Sequence, residues 1–251
     1  MKKILVSSNI FPSCRLIRDA IEKLTNKKFF MTDNPERVKD VLFRYGNTGN
    51  IIGTDSNFNS TDFISLLSDK RKFSNFCKDN GIYSPIFYTI DTKPEKYPIL
   101  VRKTLTGFGG KGIIFCNNEE EYNSVMTRYY WWTPFIKCSY EIRVHLFDNK
   151  VSRIYKKVKE GEDDLPIRNS ENGYHFSLQS ENLENKYKKA QELATKLGEL
   201  FIPLGGHFSG LDFGYDSEKK EYFVFEGNSA PGLSSINAEE YAKFFCEKLS
   251  L

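Results

Sequence analysis

The sequence predicts a mixed α/β and α+β chain: a small α/β unit over residues 1–83, then a larger α+β unit over residues 84–251. Two observations carry this. In the first unit, short apolar runs alternate with helical patterns, the rhythm of strand–helix–strand folding. In the second, apolar Ile142, Val144 and Leu146 alternate with polar Glu141, Arg143 and His145, the period-two signature of a half-buried strand. The length allows a substantial core, and 21 Phe and 14 Tyr supply bulky material that offsets a modest 39% hydrophobic content.

Each element has its own signal. Lys3 to Val6 reads as a buried strand, and Arg15 to Leu24 as an amphipathic helix with Leu16, Ile17, Ala20, Ile21 and Leu24 on one face. Val38 to Tyr45 reads as a strand ending at the turn-rich Gly46 to Gly49. Helical patterns cover Thr61 to Leu67 and Lys70 to Lys78, and Asn80-Gly81 caps the second. The second unit opens with a strand, Pro98 to Arg102, then the glycine stretch Thr106 to Gly112 and a returning strand, Ile113 to Cys116. Glu119 to Tyr130 is helical, Trp131 to Ile136 a strand or hinge, and two strands follow from Glu141 and Val151. A long helix is expected from Glu181 to Leu200, then strands Phe208 to Tyr215 and Glu221 to Phe225, and a last helix from Ala238 to Leu249.

Composition excludes several classes. Lys plus Arg number 36 and Asp plus Glu 33, a net charge of +3; this balance gives no support to a dedicated nucleic-acid or membrane-surface binder. Five scattered cysteines without a CxxC pair predict neither a disulfide framework nor a structural zinc site, and point to a reducing compartment. No apolar run approaches the ~18 residues that span a bilayer, and the N-terminal segment is too short and polar for a secretory signal. A cytoplasmic protein is expected. His145, His175 and His207 have no zinc-binding spacing, and no nucleophile elbow is present.

Gly107, Gly109 and Gly112 formally satisfy the dinucleotide fingerprint GxGxxG. That fingerprint needs a helix after the glycines, whereas the β-branched pair Ile113-Ile114 follows here. The glycines therefore cap a hairpin. Its bare N–H groups could fold over phosphate oxygens, or the tip could simply be mobile. Arg102 and Lys103 end the strand leading into it; alternation lets only one point into the site, and Arg102 is the favoured cation for a triphosphate.

The strongest signal is the pair Gly210-Leu211-Asp212-Phe213-Gly214 and Val224-Phe225-Glu226-Gly227-Asn228. If the hairpin between them is centred on residue 219, Asp212 and Glu226 are direct cross-strand neighbours with β-carbons ~5 Å apart. Asn228 keeps to the same face. Opposed carboxylates destabilise a sheet unless something compensates, and two carboxylates with an amide oxygen suit Mg²⁺, which also takes phosphate oxygens. A solvated acidic pair on an edge hairpin is the alternative; apolar Phe213, Phe223 and Phe225 argue against it. Glu141, Arg143, Lys156, Lys157, Arg168 and Asn169 are further polar candidates, each weak by itself.

The order of these motifs from Pro98 to Leu233 resembles the ATP-grasp superfamily, and within it the RimK-like glutamate-ligase branch. The basic strand end, glycine loop, hinge at Thr133 to Lys137, Glu141-Ile142-Arg143, Lys156-Lys157, Arg168-Asn169, Asp212, and Glu226 to Leu233 follow that family's sequence of parts. Three positions depart from the pattern. Arg102 stands for a lysine, Pro134 for a common acidic hinge residue, and the Glu226 to Leu233 run differs around its retained ligands.

The resemblance implies two α+β subdomains clasping a nucleotide, preceded by the small N-terminal unit. It implies that Arg102 contacts ATP, that Gly107, Gly109, Gly110 and Gly112 cover its phosphates, and that the Phe135 and Ile136 backbone reads adenine. Glu141 would contact ribose, Asn169 with Arg168 the γ-phosphate, and Arg143 an acyl phosphate, with Lys157 or Lys156 as a further cation. Asp212, Glu226 and Asn228 would hold Mg²⁺, or Mn²⁺ in its place. The implied activity is an ADP-forming carboxylate–amine ligase acting on a peptide, protein or small-molecule carboxylate and an amine. A phosphotransferase and a non-catalytic ATP-binding module stay open as alternatives.

Overall fold

The computed structural model describes residues 3–6, 12–34, 40–49, 54–55, 58–107, 109–161, 164–179 and 186–251. Among them the strands form three sheets. The first is parallel, β2-β1-β3-β4, built from β1 (Lys3–Val6), β2 (Phe30–Thr32), β3 (Asp40–Tyr45) and β4 (Thr54–Asp55). Helix α1 (Pro12–Thr25) crosses between β1 and β2, burying Cys14, Ile17 and Ile21 at helical spacing. β2 was not expected: three residues after Lys27-Lys28 leave too short a run to show a period. Of the strand expected at Val38 to Tyr45, residues 38 and 39 lie outside the described residues, and the rest is β3.

Helices α2 (Thr61–Ser68) and α3 (Lys70–Asp79) are separated by one residue because each is capped. The Ser60 hydroxyl accepts from the Phe63 N–H at 3.1 Å, and the Asp69 carboxylate accepts from the N–H groups of Arg71 and Lys72 at 2.9 and 3.0 Å. Asn80 ends α3, and Gly81 follows at φ +65°.

The second sheet is antiparallel, β5-β8-β6-β7, from β5 (Tyr88–Thr89), β6 (Ile99–Arg102), β7 (Ile113–Cys116) and β8 (Trp131–Pro134). Helix α4 (Glu119–Val125) packs on it through Tyr122 and Val125 and continues as a 3-10 turn to Arg128.

The third sheet is the largest, β11-β10-β9-β12-β13, also antiparallel. Its strands are β9 (Cys138–Phe147), β10 (Lys150–Lys159), β11 (Tyr174–Leu178), β12 (Phe208–Asp216) and β13 (Glu221–Asn228). Ile142, Val144 and Leu146 face a core shared with α2, α3 and α5 (Lys188–Phe201), as the alternation predicts. Residues 181–185, where the sequence places the start of α5, lie outside the described residues. β11 was not expected, although Tyr174, Phe176 and Leu178 alternate with His175 and Ser177; the run is only five residues long.

Cores do not follow chain order. α2 and α3, before residue 84, supply Phe63, Leu67, Phe73 and Cys77 to the core of the third sheet. Helix α6 (Ser235–Leu249) supplies Ala238, Tyr241, Ala242 and Phe245 to that of the first sheet.

Candidate functional site

The second face of the third sheet carries the polar positions. Arg143 on β9 lies opposite Asp212 on β12, and Asp212 lies opposite Glu226 on β13. The pairing of Asp212 with Glu226 is the one expected, but the register does not hold along the hairpin. A bulge follows, so that Phe213 pairs with Val224 and the turn is centred between Glu218 and Lys219 rather than on residue 219. The extra residue is Phe225, and a bulge re-aims the side chains beside it. Phe225 thus reaches the polar face, where its ring lies 5.9 Å from the Lys157 ammonium.

Each carboxylate on this face is met by a cation. Arg143 donates from Nε and Nη2 to the two oxygens of Asp212 at 2.6 and 2.8 Å. Burial pushes the Asp212 carboxyl up, but the Arg143 charge and its hydrogen bonds prevail and hold it below the usual carboxylate range. Lys157 donates to Glu141 at 2.6 Å; there burial prevails over the lysine and raises the Glu141 carboxyl. The Arg143 and Lys157 cations lie 4.2 and 5.3 Å from the Phe176 ring, a stacking that suits desolvated cations. Lys156 instead pairs with core-facing Ile142 in register and lies over the Tyr140 ring at 5.8 Å.

The glycine stretch is the hairpin expected, with Arg102 pairing Ile113 across it and Gly109, Gly110 and Gly112 at positive φ. Two side chains tether it. Lys70 donates to the Gly107 carbonyl at 2.7 Å and to Glu226 at 3.2 Å. The Asn169 amide donates to the Gly109 carbonyl at 3.0 Å. A Cβ on Gly110 would stand 2.6 Å from Asn169 Nδ2, so glycine is what allows this approach. Phe108 lies outside the described residues.

Arg102 has a buried Nε with no hydrogen-bond partner among the described residues. Burial pulls its guanidinium down to about 10, against the attraction of Glu226. Lys103 turns elsewhere, its ammonium 5.5 Å from the Tyr129 ring. At the hinge, the Phe135 N–H is already given to the Pro98 carbonyl at 3.0 Å, so that donor is not free for a base edge; the Phe135 carbonyl and the Ile136 backbone follow it. Arg168 grips Asp164 at 2.9 and 2.6 Å and the Cys138 carbonyl at 2.9 Å.

The donor set fits a hard divalent cation bound together with phosphate. Among the described residues no three His, Cys, Asp or Glu side chains gather into a complete metal cage; two carboxylates and the Asn228 carboxamide leave positions for phosphate oxygens. A carboxylate has about four lone-pair sites, and Arg143 and Lys70 use only some of them. The Asn228 Nδ2 is buried and unpartnered among the described residues, as is the Arg102 Nε, so two N–H donors suited to phosphate oxygens have no protein acceptor among the described residues.

Sequence reasoning missed Lys70. Nothing in Lys70-Arg71-Lys72 marks one lysine as different; only the Asp69 cap, which fixes the helix start, sets where it points. It also missed the aromatic bed of Phe176 and Phe225, which depends on a strand and a bulge that the pattern does not show.

No protein-family model matches the chain. In sequence it is 26% identical over 179 residues to a D-alanine–D-alanine ligase of Fusobacterium nucleatum, covering 69% of this chain and 60% of that protein. The chain thus spans 60% of the length of the curated relative it matches. In structure it is similar to the ATP-grasp ligase PsnB complexed with a minimal precursor, with a TM-score of 0.69, 9% identity and 99% of each chain covered. It is likewise similar to a RimK domain ATP-grasp protein of Sphaerobacter thermophilus, at a TM-score of 0.65 and 12% identity over 97% of this chain and 99% of that one. The chain therefore has the ATP-grasp fold.

Proposed function

We propose that the chain is an ATP- and Mg²⁺-dependent carboxylate–amine ligase that releases ADP and phosphate. The observation that carries this reading is the pairing of Asp212 with Glu226 on one sheet face, linked by a single lysine to the glycine hairpin. Asp212, Glu226 and Asn228 would hold Mg²⁺, or Mn²⁺ in its place. Bound Mg²⁺ supplies counter-charge to the triphosphate and polarises the phosphoryl group that is transferred.

The protein's own groups do the rest. Gly107, Gly109, Gly110 and Gly112 cover the phosphates and exclude water. Arg102, Lys157 and Arg168 stabilise charge that develops on the phosphoryl oxygens, and Asn169 holds the loop beside them. The hinge at Phe135 and Ile136 takes the base, and Glu141 the ribose. A carboxylate substrate attacks the γ-phosphate to form an acyl phosphate near Arg143, and an amine then displaces phosphate to give an amide. The carboxylate belongs to a peptide, a protein or a small molecule. A RiPP-associated ATP-grasp ligase in complex with ADP and a leader and core peptide supports a peptide, and the D-alanine–D-alanine ligase a small amino acid. We place the enzyme in the cytoplasm, and place substrate recognition in the unit formed by residues 1–83.

Screening carboxylates and amines for coupled ADP release, with mass spectrometry of the products, tests the proposal. An amide formed with one ADP supports it. A phosphorylated hydroxyl product would replace it with phosphotransfer, and ATP binding without turnover on any pair would reduce it to a binding module.

A further inference from the structure

Lys70 is the first residue of α3, and two of its groups bind the base of the glycine hairpin. Its backbone N–H donates to the Leu105 carbonyl at 3.2 Å and its ammonium to the Gly107 carbonyl at 2.7 Å. The same ammonium reaches Glu226 Oε1 at 3.2 Å, where the two side chains are only 11% and 23% exposed. An ammonium this far from water needs an anion. The neighbouring carboxylate of Asp69 is committed to capping the helix, and Glu226 takes that part. Two side chains therefore tether the hairpin, Lys70 at the Gly107 carbonyl and Asn169 at the Gly109 carbonyl, and the Lys70 ammonium also occupies a carboxylate suited to a metal.

We infer that Lys70 is a positioning residue that stands in the cation's place at Glu226 while no metal is bound, and that the same ammonium latches the glycine hairpin. This rests on the metal-site reading given above. A divalent cation arriving at Glu226 repels the ammonium at close range in a poorly solvated site. Lys70 then loses its anion, and the Gly107 tether is released with it. Metal occupancy and hairpin opening are thus linked, and the link is reciprocal: whatever frees the hairpin strengthens metal binding.

The test uses the whole chain without nucleotide. Hydrogen exchange is followed at residues 103–107 and 109–112, and Mn²⁺ binding by the electron paramagnetic resonance of the free ion. Lys70→Met should speed hairpin exchange and tighten Mn²⁺ binding, each by at least about fivefold, whereas Lys70→Arg keeps the protection. A merely structural lysine would not improve metal affinity on removal. Unchanged exchange, Mn²⁺ binding that is equal or weaker in Lys70→Met, or no Mn²⁺ binding to either protein overturns the inference. Should Lys70→Met fail to fold, Mn²⁺ titration of the unaltered protein decides: exchange must rise as Mn²⁺ binds, and a hairpin that stays protected refutes the latch. ADP binding is measured separately. Its absence would sink the nucleotide reading while leaving the exchange and Mn²⁺ results to judge the latch.

Discussion

Arg143 and Asp212 face each other across β9 and β12 and share two hydrogen bonds, with the Asp212 side chain 4% exposed. The pair is the deepest ionic contact of the candidate site. Removing one member strands the other, which costs about 3–5 kcal/mol for a buried pair. Asp212→Ala should therefore lower stability by that amount in urea denaturation. Arg143→Met combined with Asp212→Leu should recover most of it, and neither protein should form ADP.

Glu226 is the more accessible ligand candidate, at 23% exposure beside Lys70. Glu226→Ala should leave the circular dichroism spectrum unchanged and reduce Mg²⁺-dependent ADP formation by at least about 100-fold. Undiminished turnover would remove Glu226 from the metal site.

Two adjacent glycines should respond differently. Gly109 sits at φ +66° with open space around a Cβ, whereas Gly110 at φ +72° has Asn169 in the way. Gly109→Ala carries backbone strain alone. Gly110→Ala adds loss of the Asn169 contact, and with about 1–3 kcal/mol of strain at the loop its KM for ATP should rise about tenfold or more. The steady-state ratio between the two variants checks this.

His145 gives a pH prediction. Burial, with the nearby Arg143 charge, pulls its imidazole down to about 3, and its Nδ1 meets the Tyr241 hydroxyl at 2.9 Å. The folded protein keeps the ring neutral while the unfolded chain protonates near 6.5. The contribution is fully present above pH ~6.5 and is lost as pH falls toward 3, by up to ~1.4 kcal/mol per pH unit. His145→Gln should flatten the decline in urea stability between pH 6.5 and 4 relative to the unaltered protein.

Much of this frame was legible in the sequence because it rests on local rules. Period-two alternation marked β9, and the β-branched pair after Gly112 excluded a dinucleotide helix. Opposed carboxylates on a short hairpin pointed to Asp212 and Glu226. What stayed hidden depends on geometry that a pattern does not carry. The Phe225 bulge shifts a register by one residue and turns its ring toward the polar face of the third sheet. β2 and β11 are short runs of three and five residues, and β11 brings Phe176 under two cations. Lys70 becomes important only when α3 docks against a hairpin more than thirty residues away in sequence. The Phe135 N–H looked available because its acceptor, Pro98, lies far away in sequence, just before β6.

The packing of α6 against the first sheet bears on how the polypeptide is made. Phe245 stacks on Phe43 with ring centroids 4.2 Å apart, and Tyr241 meets Phe208 edge-on. A ribosome exposes Phe43 and Tyr45 nearly two hundred residues before the helix that covers them. Until α6 emerges the nascent first unit presents bare aromatic surface, the kind of surface that recruits chaperones or aggregates. Its closure waits on α6.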